Sequence, residues 1–471
     1  MTALVWFRQD LRITDNQALL QACSNHQHVI AVVCSWPEQW QQHDWAPIKA
    51  DLYERQANHL GQALAAKGIQ LHHIELDTYA GTPKALHQFC QKHNVEALYA
   101  NRDYPLDEVR RDRAVNAWLE EHEIECHWFD SNVLLEPGSV TPKTAGYYKK
   151  FTPFFKSWLA LLAHRGLTQP GRIVSRSECE FTPIQIRYDK RDASSWAASE
   201  DAIKQRLRRF TDEQVQDYAR ARDLPALDAT SRLSPFFELG VISPVTVARM
   251  LQQQSPDFPH GLNQGAHTWL SELAWREFYL HLMYAVPRLS MGKAFLEYTD
   301  AYPWRANDSD FKRWCEGNTG FPIVDAGMRQ LKAEGWMHNR VRMIVANFLV
   351  KDLRLDWRLG ERHFMQNLID GSFAANNGGW QWSASTGTDA APYFRVFNPT
   401  RQSEKVDPEG RYIRKWVSAL KDVPNKYIHE PHHYLRARGS EQNSDTKYPQ
   451  PMVDHSQARD DFIATFKGLK K

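Results

Sequence analysis

The sequence predicts two folded parts of different class: an α/β N-terminal domain on a parallel sheet, residues 1–128, and an all-α C-terminal domain, residues 201–471. An interdomain connection over 129–200 joins them. Three observations carry this. Short, almost continuous apolar runs alternate with amphipathic segments over the first 128 residues, as strands buried on both faces do. Proline and glycine then break the pattern. From about residue 200 the apolar positions recur at helical spacing, and no clear strand pattern returns.

Residues 3–7 form the first strand. Asp15 stands as the N-cap of a helix over 16–23. A second strand covers 29–34, followed by a helix through about 47–67. Residues 69–75, 97–99 and 124–128 read as further strands, separated by helices near 83–93 and 106–121. Such sheets receive ligands at the carboxyl edge of their strands, yet there is no glycine fingerprint for a dinucleotide. In the connection, Pro137, Gly138, Pro142, Gly146, Pro170, Gly171 and Pro183 leave room for one short helix near 153–162. Helical periodicity then marks 203–210, 269–284, 323–334 and 341–351. The polar tail beyond 436, ending in Lys470 and Lys471, is expected at the surface.

Composition narrows the function. The hydrophobic fraction of 42% is that of a globular chain. No apolar run is long enough to span a membrane, and the first residues lack the pattern of a secretory signal. A cytoplasmic protein is the expectation. No two of the six cysteines are closer than Cys23 and Cys34, so reduced thiols are expected rather than a disulfide framework. His122, Cys126 and His127 read as ordinary surface, and no metal is expected. Residues 1–128 carry 11 basic and 17 acidic side chains, the remainder 47 and 39. A polyanion therefore prefers the second part. The 17 tryptophans imply either stacking on flat ligands or an unusually aromatic core.

Four motifs concentrate the chemistry. Trp269, Glu272 and Trp275 share one side of a predicted helix. Either Glu272 pairs with an arginine at the rim of an aromatic core, or two indole walls hold a planar ligand that the acid hydrogen-bonds. Asn339, Arg340 and Arg342 crowd donors at the start of another helix, either as a charged helix end or as a grip on phosphate or ring carbonyl oxygens. Asp370-Gly371-Ser372-Phe373-Ala374-Ala375-Asn376-Asn377-Gly378-Gly379-Trp380-Gln381-Trp382 sets small residues, which let backbone approach a ligand, before paired indoles. Thr230-Ser231-Arg232-Leu233-Ser234-Pro235 places hydroxyls and amides ahead of a proline suited to a first helical turn, where a phosphate binds well or a plain cap sits.

Together these motifs resemble the photolyase/cryptochrome family, in particular its class I bacterial branch that repairs cyclobutane pyrimidine dimers. The resemblance runs from Val5-Trp6-Phe7-Arg8-Gln9-Asp10-Leu11-Arg12 to Tyr393-Phe394-Arg395-Val396-Phe397-Asn398-Pro399. It implies a Rossmann-like parallel sheet followed by an all-α FAD-binding domain, and light-driven electron transfer from excited reduced FAD (FADH⁻) to a dimer flipped out of DNA. It places Tyr218 and Thr230, Ser231, Arg232, Leu233 and Ser234 at the FAD diphosphate. Trp269, Asn339, Arg342 and Asp370 frame flavin and adenine, and Asn376 faces flavin N5. Glu272 hydrogen-bonds the thymine carbonyls, Trp275 and Trp382 wall the lesion cavity and Met343 floors it. Arg222, Arg340 and Arg395 support the lesion or its phosphates. Trp380, Trp357 and Trp304 match the electron-hopping chain that photoreduces oxidised flavin. His43, Asp107 and Glu108 match the site of a 5,10-methenyltetrahydrofolate antenna. DNA carrying such dimers is the expected partner, and a monomer with no obligate protein partner the expected state.

This chain departs from the family's pattern in places. Ser372 stands where relatives carry a second aspartate near the flavin. Asp107 replaces an asparagine, and Ser290-Met291 a cysteine–lysine pair, so a deazaflavin or no antenna is the alternative to folate. The first rival is a cryptochrome-type blue-light photoreceptor without repair activity; Asn376 and the Glu272, Trp275, Met343, Trp382 set favour repair over it. Repair of the pyrimidine–pyrimidone photoproduct calls for a paired histidine, where only His338 is near. A light-independent nucleic-acid-binding module is the remaining alternative.

Overall fold

The computed structural model describes residues 2–169, 171, 173, 177–437 and 448–469. The first part is α/β as expected. Five parallel strands, β1 (Thr2–Phe7), β2 (His28–Ser35), β3 (Leu71–Glu75), β4 (Val95–Asn101) and β5 (Glu125–Phe129), lie in the order β3-β2-β1-β4-β5. β1 is the central strand, pairing Val5 with Ala31 on one side and Tyr99 on the other. Its residues 3–7 have no exposed surface, which is why they read as one apolar run rather than an alternation. The crossovers are α1 (Gln17–Asn25), α2 (Pro37–Gln42) with α3 (Pro47–Ala65), α4 (Thr82–His93) and α5 (Leu106–Glu121). Asn94 ends α4 in the left-handed region at φ 51°, a conformation asparagine tolerates well.

Asp15 is not the cap of α1. Asn16 takes that place, its side chain accepting from Leu19 N at 3.1 Å. Asp15 instead turns to φ 52° and binds Arg249 Nη1 at 2.7 Å and Thr246 Oγ1 at 2.6 Å. A buried charge needs partners more than a helix end needs that particular oxygen.

The helix expected near 153–162 is α6 (Phe151–Arg165), longer because Phe151, Phe154, Trp158 and Leu162 form one buried stripe. Pro153 sits in its first turn, where a missing N–H costs nothing. The breaker Pro170 lies outside the described residues.

Helices follow throughout: α7 (Glu200–Glu213), α8 (Tyr218–Ala221), α9 (Ser234–Glu238), α10 (Pro244–Gln252), α11 (Gln264–Ala285), α12 (Asp308–Cys315), α13 (Pro322–Glu334), α14 (Asn339–Asn347), α15 (Trp357–Met365), α16 (Phe373–Ala384), α17 (Pro399–Val406), α18 (Arg411–Trp416), α19 (His432–Ala437) and α20 (His455–Gly468). α14 continues as a π turn over Phe348–Asp352. Among the described residues no strand follows β5, and Arg305 and Leu355 form an isolated parallel bridge. The tail is more than surface. Phe462 and Phe466 of α20 are buried against Tyr302, an i, i+4 apolar pair in a segment whose composition is polar. The end of the tail, Lys470 and Lys471, lies outside the described residues.

The chain folds into two compact units. One comprises Met1–Ala219, Ser231–Ser290 and Ile369–Ala374; the other Arg220–Thr230, Met291–Leu368 and Ala375–Lys471. The second is built on a core that includes Trp314, Val341, Val345, Trp357 and Trp380. The six cysteines are free thiols, Cys34 and Cys90 buried and the rest partly so. No helix among the described residues is long and apolar enough to cross a membrane.

Candidate functional site

In the second unit, Arg340 closes a two-pronged pair on Asp223, Nε to Oδ1 at 3.0 Å and Nη2 to Oδ2 at 2.6 Å. Arg222 approaches the same carboxylate at 3.8 Å, and Arg340 Nη1 lies 3.7 Å from Met343 Sδ. Arg340 and Met343 are three apart on α14 and so share a face. The structure therefore gathers Arg222, Arg340 and Met343 around an acid that no sequence motif singles out; its adjacency to Arg222 is the only signal. Arg342 turns away, its Nε donating to Met337 O at 2.8 Å. His338 caps the helix by accepting from Arg340 N at 3.2 Å, and Asn339 is exposed at the first helical position. Arg395 is exposed, with its guanidinium 5.7 Å from the Phe397 ring.

The Asn376–Trp382 motif is helical, within α16, a state that its glycines conceal in the sequence. Gly378 and Gly379 each weaken a helix by up to about 1 kcal/mol; side-chain ties hold this one. Asn376 Nδ2 donates to Glu361 O at 2.9 Å, Asn377 Nδ2 to Glu361 Oε1 at 2.7 Å, and Gln381 Nε2 to Asn377 Oδ1 at 2.9 Å. Because Glu361 O is a carbonyl, the NH₂ of Asn376 must face it, and the amide oxygen is left to accept from another donor.

Trp380 and Trp357 are buried in the core of the same unit, and Trp304 is packed half-exposed at its margin. Trp380 meets Trp314 and Phe364 edge-on at 6.1 and 4.9 Å. Trp304 lies 4.2 Å from Tyr302. Trp382 is half-buried, edge-on to Phe397.

The first unit holds the remaining predicted residues except Thr230, which is half-buried in the second. Tyr218 and Trp269 flank Phe210, at 5.8 and 4.9 Å. Glu272 is half-buried on α11. Trp275 stacks one face on Phe151, 3.7 Å between centroids at 8°, so that face is closed to a ligand. Ser231 O accepts from Arg206 Nε at 2.7 Å, and Arg232 adopts φ 48°. α9 starts at Ser234 with Pro235 in its first turn, but Leu233 occupies the cap position and no hydroxyl caps it. Asp370 is buried and Ser372 half-buried. Between them, Gly371 O accepts from buried Lys49 Nζ at 2.9 Å, and Lys49 also pairs with Glu238 at 2.7 Å.

At the carboxyl edge of the sheet, His43 lies 3.4 Å from Asp107 and 3.6 Å from Glu108. Tyr79 OH donates to Glu108 at 3.0 Å and Gln39 contacts His43 at 3.0 Å; no sequence motif points to Tyr79 or Gln39. Burial pushes the Glu108 carboxyl up, against the pull of His43 and Arg111. Beside β1, where such a sheet reverses strand order and ordinarily takes a ligand, charged side chains cluster, and a cavity of about 470 Å³ is lined in part by Asp103, Asp112 and Trp128. Arg8 and Arg111 lie over the Trp6 ring at 4.3 and 5.0 Å and pair with Asp103 and Asp112.

Residues 3–171 match the DNA photolyase family, and residues 269–468 match the FAD binding domain of DNA photolyase. A deoxyribodipyrimidine photo-lyase of Vibrio cholerae is 45% identical over 475 residues, 99% of each chain. The chain belongs to the DNA photolyase family. Its Escherichia coli K12 relative, also a deoxyribodipyrimidine photo-lyase, is 44% identical over 479 residues, all of this chain and 99% of that one. Among solved structures, a class III photolyase of Agrobacterium tumefaciens superposes with a TM-score of 0.86 at 34% identity, covering 100% of this chain and 98% of that one. A cryptochrome of Synechocystis superposes at 0.85 with 25% identity, covering 98% and 99%. The match to the FAD-binding domain thus runs from within α11 into α20 and takes in Asn376.

Proposed function

We propose that this photolyase-family chain repairs cyclobutane pyrimidine dimers in DNA, using light and FAD. The observation that carries the reading is the full-length match to deoxyribodipyrimidine photo-lyases, at 44–45% identity. The oriented amide of Asn376 agrees with it, since a neutral acceptor adds no second charge beside an anionic reduced flavin.

When bound, reduced FAD supplies the light-excited electron that opens the cyclobutane ring and takes it back, so no net oxidation results. Tyr218, Thr230, Ser231, Arg232, Leu233 and Ser234 hold the diphosphate in this reading. Trp269, Asn339, Arg342, Asp370 and Ser372 frame the rings. Glu272, as the protonated acid, donates its O–H to a carbonyl oxygen of the lesion and stabilises the charge that oxygen gains, a preorganised electrostatic role. Trp275, Trp382 and Met343 are the lesion-contacting residues in this reading. Arg222 and Arg340, oriented by Asp223, and Arg395 take backbone phosphates, which makes binding salt-dependent. The damaged pair leaves the duplex cheaply because its stacking is already weakened. Trp380 and Trp357 in the core and Trp304 at its margin carry electrons inward from the surface.

Residues 1–128 act as the antenna-binding domain, 129–200 as the connection and 201–471 as the catalytic domain. His43, Asp107 and Glu108, joined by Tyr79, are the antenna residues for 5,10-methenyltetrahydrofolate. A photolyase of Sulfolobus tokodaii, 32% identical with a TM-score of 0.82 over 99% of this chain and 100% of that one, holds two FAD molecules, so a flavin is the competitor to test. The chain works as a cytoplasmic monomer.

The test is the absorption spectrum of the purified protein, followed by dimer-containing oligonucleotide with reductant, in light and in darkness. Flavin absorption and repair confined to the illuminated sample are expected. Flavin with no repair favours a cryptochrome-type photoreceptor, and repair in darkness rejects the mechanism. A pterin band identifies the antenna.

A further inference from the structure

Two polar side chains with no exposed surface stand one turn apart where α14 enters the π turn: Asn347 and Lys351. Both reach the same stretch of backbone. Lys351 Nζ donates to Arg395 O at 2.9 Å, and Asn347 Oδ1 accepts from Phe397 N at 2.9 Å. The π turn makes this possible. Its i→i+5 bond, Leu353 N to Phe348 O at 3.0 Å, widens the helix and brings side chains four apart nearer to register, as such bulges do at functional positions.

A fully buried ammonium is an expensive way to hold a helix together, and a methionine of similar length would pack there at lower cost. Its surroundings compensate it only in part. The Phe462 ring lies 5.5 Å away, and Asp352 is adjacent but engaged by His455. Burial and the neighbouring Arg395 pull the amine down to about 7, against Asp352. Either protonation state still has an N–H for Arg395 O. What the two side chains hold is otherwise irregular. Residues 392–397 have short local bonds, Arg395 N to Pro392 O at 2.8 Å and Val396 N to Phe394 O at 3.2 Å, and expose Phe394 and Arg395.

We propose that Lys351, with Asn347, is a positioning residue for substrate: it anchors the 392–397 segment so that Arg395 presents its guanidinium to a phosphate of the lesion-bearing strand. This rests on the reading of Arg395 as a DNA contact. A guanidinium on an unanchored segment would spend binding energy on ordering that segment.

The test compares Lys351→Met, Asn347→Ala, Arg395→Ala and the Lys351→Met/Arg395→Ala double variant of the FAD-loaded enzyme, on dimer-containing duplex across salt concentrations. Lys351→Met is expected to raise Kd about fivefold to tenfold and lower the slope of log Kd against log salt by about one, as loss of one phosphate contact does. KM should rise while repair per photon at saturating DNA, FAD content and melting temperature hold. The double variant should bind no worse than Arg395→Ala alone, since the two act through one contact. Asn347→Ala should shift affinity in the same direction, and decides the matter if Lys351→Met does not fold. Three results overturn the proposal: unaltered affinity in both single anchors, losses that add to those of Arg395→Ala, or affinity falling only in parallel with FAD content. If Arg395→Ala itself binds like the parent, the DNA-contact reading fails first and this proposal with it.

Discussion

Trp158 donates its indole N–H to the Glu277 carboxylate across 2.7 Å, and both side chains are buried. Glu277 also accepts from the Leu134 and Leu135 amides, so one acid of α11 holds the start of the connection and a tryptophan of α6.

A pH dependence of stability follows. Burial pushes the Glu277 carboxyl up to about 7, although its hydrogen bonds and Arg276 oppose this. The folded chain therefore holds a proton that the unfolded chain has lost between about 4.5 and 7. This contribution to stability is present at low pH and disappears as pH rises through that window. His281, pulled down to about 4 by burial, works the other way, favouring the fold as pH rises from about 4 to 6.5. Glu277→Gln is expected to be destabilised at pH 5 by about 1–3 kcal/mol, because three donors then share one acceptor. Its deficit should shrink towards pH 8. Chemical denaturation at several pH values measures this; a deficit independent of pH would show that Glu277 is ionised throughout.

Gly360 has no room for a side chain. An added Cβ would lie 2.1 Å from Trp380 Cη2 and 2.4 Å from Cζ3. Gly360→Ala must displace the indole, at about 1–3 kcal/mol for an overpacked core. Thermal melting should record the loss, and photoreduction of oxidised flavin should slow with it. An unchanged melting temperature would mean the ring is free to move.

Trp304→Phe separates two roles. Light-driven reduction of oxidised flavin should fall sharply, while enzyme already reduced chemically should repair as before. Parallel loss of both would make Trp304 a packing residue, consistent with its contact to Tyr302.

Glu272→Ala should lower repair per photon several-fold while FAD content and dimer binding change little, if the acid's O–H acts on charge that develops only during reaction. Equal losses in flavin content and repair would assign it to the fold.

Local pattern is a good guide where local physics decides. The apolar runs at 3–7 and 29–34 announce strands β1 and β2, because a strand buried on both faces has no polar alternation. The stripe through α11 and the helical periodicity of α13 over 323–334 are equally visible. The cap of α1 falls one residue later than expected because Asp15 and Asn16 are both good caps, and only the distant Arg249 chooses between them. The helical state of the Gly378-Gly379 stretch is hidden for the same reason: Glu361 stabilises it from another helix.

By itself, then, the sequence determined the division into a parallel α/β part and a helical part, the family, and the motifs from which the proposed site is drawn. Each of these lies in periodicity or in contiguous motifs. The tertiary structure alone decided the pairings that orient those residues: Asp223 with Arg340, Glu361 with Asn376, Tyr79 with Glu108, Lys351 with Arg395. Each joins positions far apart along the chain, through a charge or hydrogen bond whose value depends on burial, and no local window of sequence contains both partners.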